Sequence, residues 1–523
     1  MGQVNYRELG KHGISLDKDP AELPVGFMTG GKNVLPSING LINAPGYEDS
    51  LLSPGIEPEF LLAESNNNVH KIHVFGGQQS FLAGAPSASE TSNVGGFAVP
   101  VRWSGIYHKE VVFANNGVDP LQYYNNTSGK FEDVPGFPAG IKFQYIRRFK
   151  DYLIGIGVID GSNIYNEEIY WSHPTTIGST PASWDTSDPA YDAGRNVFPT
   201  ERGHLLDGLE LGNSFFLYKN DSIWRVDHIG GNRIFSRKLV TKDYGLIAHR
   251  CVVSYPGGHF FVGQNSIYTF NGSSMPEDIG IERVRDYLFN NLDSTNYEKM
   301  FVVKRASVKE IWVYFPTIGS EYCNKVLVWN WELNSWGFID APNVLHAVTS
   351  EDLSIGSTLT WNDMGTTTWQ ASGRWTEQIN KRFIPVFYQA QKKTSGYHNL
   401  FHQTTLNLNE GVLSPWMVER KDFLLGPFSA RGNVIQDYET MKIVSEIWIR
   451  AVTNGNLRVT LGGRDNESEA ITWYDPVEID PNTWSSVGVL LTHRFHAIRI
   501  ESIDASAIKL QGINIRWEDA GEF

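Results

Sequence analysis

FFLYKNDSIWRVD at residues 215–227 and FFVGQNSIYTFNG at residues 260–272 share one pattern and start 45 positions apart. Each is a pair of apolar, alternating stretches around a polar Asn-Asp-Ser or Asn-Ser turn, which reads as a β-hairpin. The unit recurs outward in both directions. Upstream lie KIHVFGGQQSFLAG, EVVFANNGVDPLQYYNNTSGKFEDV and YIRRFKDYLIGIGVIDGSNIYNEEIYWS. Downstream, KEIWVYFPTIGSEYCNKVLVWNWELNSWGFID repeats it with a longer loop and an edge containing Trp336. The stretch from VLHAVTSEDLSIG through NLFHQTTLNLNEG repeats it more weakly. Repeats of roughly 40–50 residues with about four strands each are the period of propeller blades. A lone blade cannot bury both faces, so blades must pack side by side around an axis. The same residues also allow a sandwich holding unrelated hairpins, where Asn-Gly turns are equally frequent.

The expected fold class is all-β: residues 70–412 form a β-propeller of five to seven blades with inserted loops. Composition agrees, with 13% aromatic residues, 16 Trp and 50 Gly, since aromatics suit a pleated surface and Gly and Asn supply turns. At 523 residues the chain has room for two to four domains. Residues 1–69, rich in Gly, Pro and Asn, read as a docked arm. From residue 413 the strands NLRVTLGGRD, AITWYDPVEI, SSVGVLL, HAIRIES and KLQGINIRWE alternate cleanly. They predict a β-sandwich-like platform domain over 413–523, to which the N-terminal arm contributes.

Two segments interrupt the repeat. HPTTIGSTPASWDTSDPAYDAG (173–194) predicts a long surface loop. IGIERVRDYLFNNLD (279–293) predicts a helix over a blade edge, with Ile281, Val284 and Leu288 on one face and Arg283 and Asp286 off it. GIGVIDG (155–161) lies between two strands and reads as a turn rather than a phosphate loop.

The formal charge is −14, from 58 acidic and 44 basic residues, which argues against gripping nucleic acid by counterion release. It is compatible with DNA sliding past an acidic wall. No apolar run of membrane-spanning length occurs, and no membrane anchor is expected. The start, MGQVNYRELGKHG, lacks the apolar core of a secretory signal, and Tyr6 stands where N-myristoylation wants Ser or Thr. Cys251 and Cys323 give neither a disulfide framework nor a zinc quartet and read as reduced, buried thiols made in a cytoplasm. Asn126-Thr-Ser is then chance turn chemistry.

No constellation for catalysis, cofactor or metal stands out. His70 and His73 are three apart and face opposite sides of a strand, while His398 and His402 would share a face only on a helix. Asp185, Asp188 and Asp192 lack calcium-loop spacing and read as a solvated loop. ASWDTSDPA fails the Asp-box of propeller sialidases, and no nucleophile elbow or P-loop occurs. Arg147, Arg148 and Lys150 form the densest basic knot and read as a solvated face or subunit contact. The expectation is no catalytic, cofactor-binding or metal residue, no cofactor and no enzyme activity.

The order of segments resembles the tail nozzle, or tail tubular, proteins of short-tailed bacteriophages. The resemblance is carried by LELGNSFFLYKNDSIWRVDHIGGNRIFSRKLVTKDYGLIAHRCVVSYPGGHFFVGQNSIYTFNG, IERVRDYLFNNLD, KEIWVYFP and VLVWNWELNSWGFIDAP. LPVGFMTGGKN near the start and MKIVSEIWIRAV, LRVTLGGRD and ITW near the end also fit; 173–203 and 343–400 fit less well. The resemblance implies a virion protein made in the host cytoplasm, with six copies forming a homohexameric ring beneath the portal. Its implied partners are the portal-adaptor (head-to-tail) protein, tail fibres or tip proteins, and genomic DNA passing the lumen without sequence-specific binding. The tube would close the DNA-filled head and conduct DNA at ejection. Two other readings remain: a carbohydrate-binding or carbohydrate-active propeller serving as a receptor-binding tail component, and a secreted scaffold propeller, weakened by the missing signal.

Overall fold

The structure, a computed structural model, describes residues 2–7, 9–24, 26–38, 40–49, 55–66, 69–83, 89–199, 203–231, 233–351, 385–392, 398–403, 414–426, 439–483, 486–504 and 506–521. The two opening hairpins are the middle strands of consecutive blades, Ser214–Lys219 with Ser222–His228, then Gly258–Val262 with Ile267–Phe270. Their spacing is therefore one blade.

Five blades are four-stranded antiparallel sheets in simple chain order, spanning 60–90, 104–133, 141–197, 205–242 and 252–278. The sixth comprises Phe301–Arg305, Glu310–Phe315, Cys323–Asn330 and the first part of Ser335–Glu351. That last strand runs on. Its residues 344–351 pair with Pro385–Lys392, which pairs with His398–Gln403, which pairs in turn with Tyr47–Asp49. A seventh blade results, whose outermost strand comes from the N-terminal arm. The innermost strands pack in a closed ring, each against the next. Two hydrogen bonds mark the joints of the seventh blade: Thr349 Oγ1 donates to Lys304 O at 2.8 Å, and Leu61 N donates to His346 Nδ1 at 3.2 Å.

Apolar side chains fill the gaps between blades. Phe113, Phe143 and Leu153 join the second blade to the third, and Phe149, Leu205 and Phe215 join the third to the fourth. Each such side chain contributes about 1.5–3 kcal/mol when fully buried.

The platform is a sandwich of two sheets. One contains Val34–Ser37, Gly40–Asn43, Ile508–Gly521, Met441–Thr453 and Ser486–His493, with Gly2–Arg7 also on Ile508–Gly521. The other contains Gly30–Lys32, Met417–Phe423, Phe495–Ser502 and Leu457–Arg464. Val444, Ile447, Val459, Ile498 and Ile515 fill the space between them. Phe338 of the sixth blade pairs with Val34, so blade and platform belong to one continuous sheet. The arm adds stitches. Ile14 N donates to Trp336 O at 2.8 Å, and Gly13, at φ +77°, comes so close that a Cβ there would lie 2.3 Å from the same oxygen. Arg420 donates to Pro20 O and Leu23 O.

Several expectations are corrected. The propeller begins at Phe60 and also uses 47–49, so the arm does not end at 69: Phe60–Asn66 is a strand paired along its length with Val69–Gly76. The helix is only Arg285–Asn291. Val284 and Leu288 are buried but Ile281 is 47% exposed, because the residues before Arg285 form a turn on Gly280 O. Asp17 of the arm caps the helix, accepting from Asp286 N and Tyr287 N. Gly155–Asp160 is strand rather than turn: Gly155 lies under the Phe143 ring, and Gly157 sits in a bulge at φ +67°. Residues 352–384 and 404–413, part of the weak repeat, lie outside the described residues.

Candidate functional site at the propeller axis

Every blade's innermost strand starts at the same end of the axis, so the residues just before those starts converge. Glu59, Trp103, Arg250, Met300 and Leu345 sit at or just before the starts of five inner strands, and all line one cavity of about 390 Å³. The rim is paired. Arg102 meets Glu298 at 2.6 Å, Lys299 meets Glu321 at 3.6 Å, and Tyr322 donates to Glu57 at 2.7 Å. Glu59 accepts from Gly77 N at 3.3 Å, and burial pushes its carboxyl above the usual range.

Beneath the cavity is a buried charge network. Arg147, on the third blade's inner strand, grips Asp207 of the fourth with two hydrogen bonds at 2.6 and 2.8 Å. Asp207 also accepts from Gly208 N and Arg250 N and lies 3.2 Å from His249 Nδ1. Burial alone would raise its pKa, but Arg147 and His249 hold the carboxyl well below its ordinary value. His249 stacks on Tyr145 at 3.8 Å, and burial holds its pKa down at about 4. Arg250 donates through Nη2 to Trp103 O and lies 4.5 Å over the Phe60 ring. Burial, together with Arg102 and Arg147, lowers its pKa to about 9.

The residues weighed in the sequence fall as follows. Arg147, Arg148 and Lys150 are not one solvated patch: Arg147 is committed to Asp207, while Arg148 and Lys150 are exposed. His73 is buried against Glu64 at 2.8 Å, and burial keeps its pKa low. His398 and His402 share a strand, not a helix, and positions four apart on a strand do fall on one face. Their side chains lie outside the described residues.

The three aspartates of the insertion do not converge. Asp185 accepts from Ser187, Asp188 from Ala190 N, and Asp192 from Tyr152. Their loop is not simply solvated, since Trp184 is fully buried against Phe137 and Phe143. Among the described residues no group of three His, Cys, Asp or Glu could hold a metal ion. Cys251 and Cys323 are buried free thiols, and burial raises both pKa values. No helix among the described residues is long and apolar enough to cross a membrane.

The axial cavity was missed in the sequence because its residues come from five blades. Aligning the blades by phase would have placed Glu59, Trp103 and Met300 at one repeat position, directly before the first strand. A second groove of about 860 Å³ runs between the 173–194 loop and the 229–237 loop, past Tyr191, Arg195 and Arg237. Arg195 is held there by Glu168 at 2.9 Å and Asp160 at 3.1 Å.

No family model matches the chain, and no curated protein does. It is similar to a solved structure, BBS1N in complex with ARL6DN, at 11% identity over 69% of this chain and 98% of that one, with a TM-score of 0.37. At that score the likeness carries no argument, and the propeller rests on the hydrogen-bonded sheets themselves.

Proposed function

We propose that this chain is a non-enzymatic structural subunit of a bacteriophage tail tube or nozzle, working by shape and assembly. The observation that carries the reading is the single sheet running from the sixth blade through Phe338 and Val34 into the platform. It couples propeller and platform as one body, as a wall under load requires. The segment resemblance supports the same reading. Ring neighbours would meet through heterologous interfaces, with six copies closing the ring below the portal-adaptor. The net charge of −14 suits a lumen past which DNA slides. Negative-stain imaging of purified protein, alone and with adaptor, tests the proposal: rings or tubes of about six copies are expected, and a protein that stays monomeric under both conditions would overturn it.

A second reading, a carbohydrate-binding tail component, is favoured by the groove past Tyr191 and Arg195, where an aromatic edge and fixed polar groups adjoin. Saturable binding on a glycan array, lost in Tyr191→Ala, would support it.

A further inference from the structure

We infer that two free strand edges of this chain, Phe235–Lys242 on the fourth blade and Ser486–His493 on the platform, pair with each other between neighbouring copies. The inference rests on the tail-tube reading and names the surfaces through which its copies meet. A free sheet edge presents unpaired backbone N–H and C=O groups, and proteins blunt it by keeping the edge strand short or charged. The outermost strands of the first, second, third, fifth and seventh blades are short, with two to four residues each. Phe235–Lys242 has eight, and among the described residues it pairs only with Ser222–His228. Ser486–His493 also has eight, the longest free edge of the platform, and pairs only with Met441–Thr453.

The two edges carry opposite charge. On the blade, Arg237, Lys238 and Lys242 are exposed, and the strand contains no Asp or Glu. The platform strand has no Lys, Arg, Asp or Glu of its own. It is bordered by residues 465–480, which hold Asp465, Glu467, Glu469, Asp475, Glu478 and Asp480 and no Lys or Arg. That segment is fixed beside the edge: Tyr474 Oη and Asp465 meet His493 at 2.8 and 3.1 Å, and Val477–Ile479 packs against the strand. Of the nearby cations, Arg458 pairs with Glu478, and Arg464 is held by Asp422. The platform edge is also open and apolar. Leu490 is 81% exposed, Tyr474 and Val477 are exposed as well, and a Cβ added at Gly488 would meet nothing within 4 Å. The blade edge offers exposed Ile229 at the turn leading into its strand. Two basic blade edges repel one another, as do two acid-rimmed platform edges, whereas one of each attracts. A contact between different surfaces of the same chain is heterologous, so each copy keeps one edge free for the next until a ring closes.

The test is sedimentation velocity on the full chain, with negative-stain images of whatever assembles. The wild type is expected to form assemblies. The double variant Lys238→Glu, Lys242→Glu reverses the blade edge, and Leu490→Lys sets a charge on the platform edge; each is expected to stay monomeric. All three positions are exposed, so both variants should melt by circular dichroism as a monomer of unchanged fold. Mixed together, the two variants should associate, because each retains the edge that the other has lost. A wild type that stays monomeric on its own, a variant that assembles as the wild type does, or a mixture that fails to associate would each overturn the inference. Variants that still form rings would do so while leaving the tail-tube reading intact. Open filaments in place of rings, abolished by both variants, would support the edge contact and count against that reading.

Discussion

His249, His259 and His496 are 0–2% exposed and are held neutral by burial, with pKa values of about 4, 4 and 3 against an ordinary 6.5. His259 illustrates the arrangement, with Tyr218 at 2.8 Å on Nδ1 and Glu210 O at 3.0 Å from Nε2. A lowered histidine pKa means the unfolded chain binds more protons between the two values. The stability it contributes is complete above about pH 6.5 and is lost as the pH falls towards 4. Shifts of that size correspond to upper bounds of roughly 3 kcal/mol for His249 and His259 and roughly 5 kcal/mol for His496. Asp207, also held low, adds a loss only at still lower pH, below the ordinary carboxylate value. Urea midpoints measured from pH 7.5 to 4.5 should therefore decline steadily below 6.5; a flat profile would refute the buried-neutral assignment. None of this could be read from the sequence. Arg147 looked like part of a basic knot because Arg148 and Lys150 adjoin it, yet strand alternation turns Arg147 to an aspartate sixty positions away and leaves Arg148 outside.

Among the elements, hairpins were the most legible, because period-two alternation and turn residues are local. The insertion at 173–194 was legible only as polar. Its composition concealed Trp184, whose ring packs with Phe137, Phe143 and Tyr170 in the seam between the second and third blades. Trp184→Ala should cost about 3–5 kcal/mol and open the loop to limited proteolysis at Pro189–Tyr191 before the rest unfolds. An unchanged melting temperature would mean the loop is not anchored as described. The helix misled for the opposite reason. Ile281 kept the 3.6-residue spacing, but its backbone had already turned on Gly280, and the cap came from Asp17 far upstream. A cap supplied by a distant arm leaves no trace near the helix.

At the scale of the molecule, the repeat announced a propeller, and the alternation after residue 413 announced a second sheet system. What stayed hidden was the joinery: a strand serving two blades, a seventh blade closed by 47–49, and an apolar core running without interruption from Phe260 and Ile311 through Trp336 to Trp416 and Val459. These joints depend on contacts hundreds of residues apart, which no local pattern encodes. A shared core predicts shared melting. Calorimetry should give one transition for propeller and platform, with calorimetric and van't Hoff enthalpies in agreement; two resolved transitions would show the platform to be an independent unit.

The same long-range joints set a timetable for synthesis. Tyr47–Asp49 leaves the ribosome early but its strand partner among the described residues, His398–Gln403, follows much later, and Gly2–Arg7 waits for Ile508–Gly521. Two early segments must thus wait for their strand partners while some 350 to 500 further residues are translated, an interval of roughly 20 to 100 s at about 5–20 residues per second. Unmated strands held that long are a hazard for misassembly, so nascent chains of this protein should depend on chaperones until translation is nearly finished.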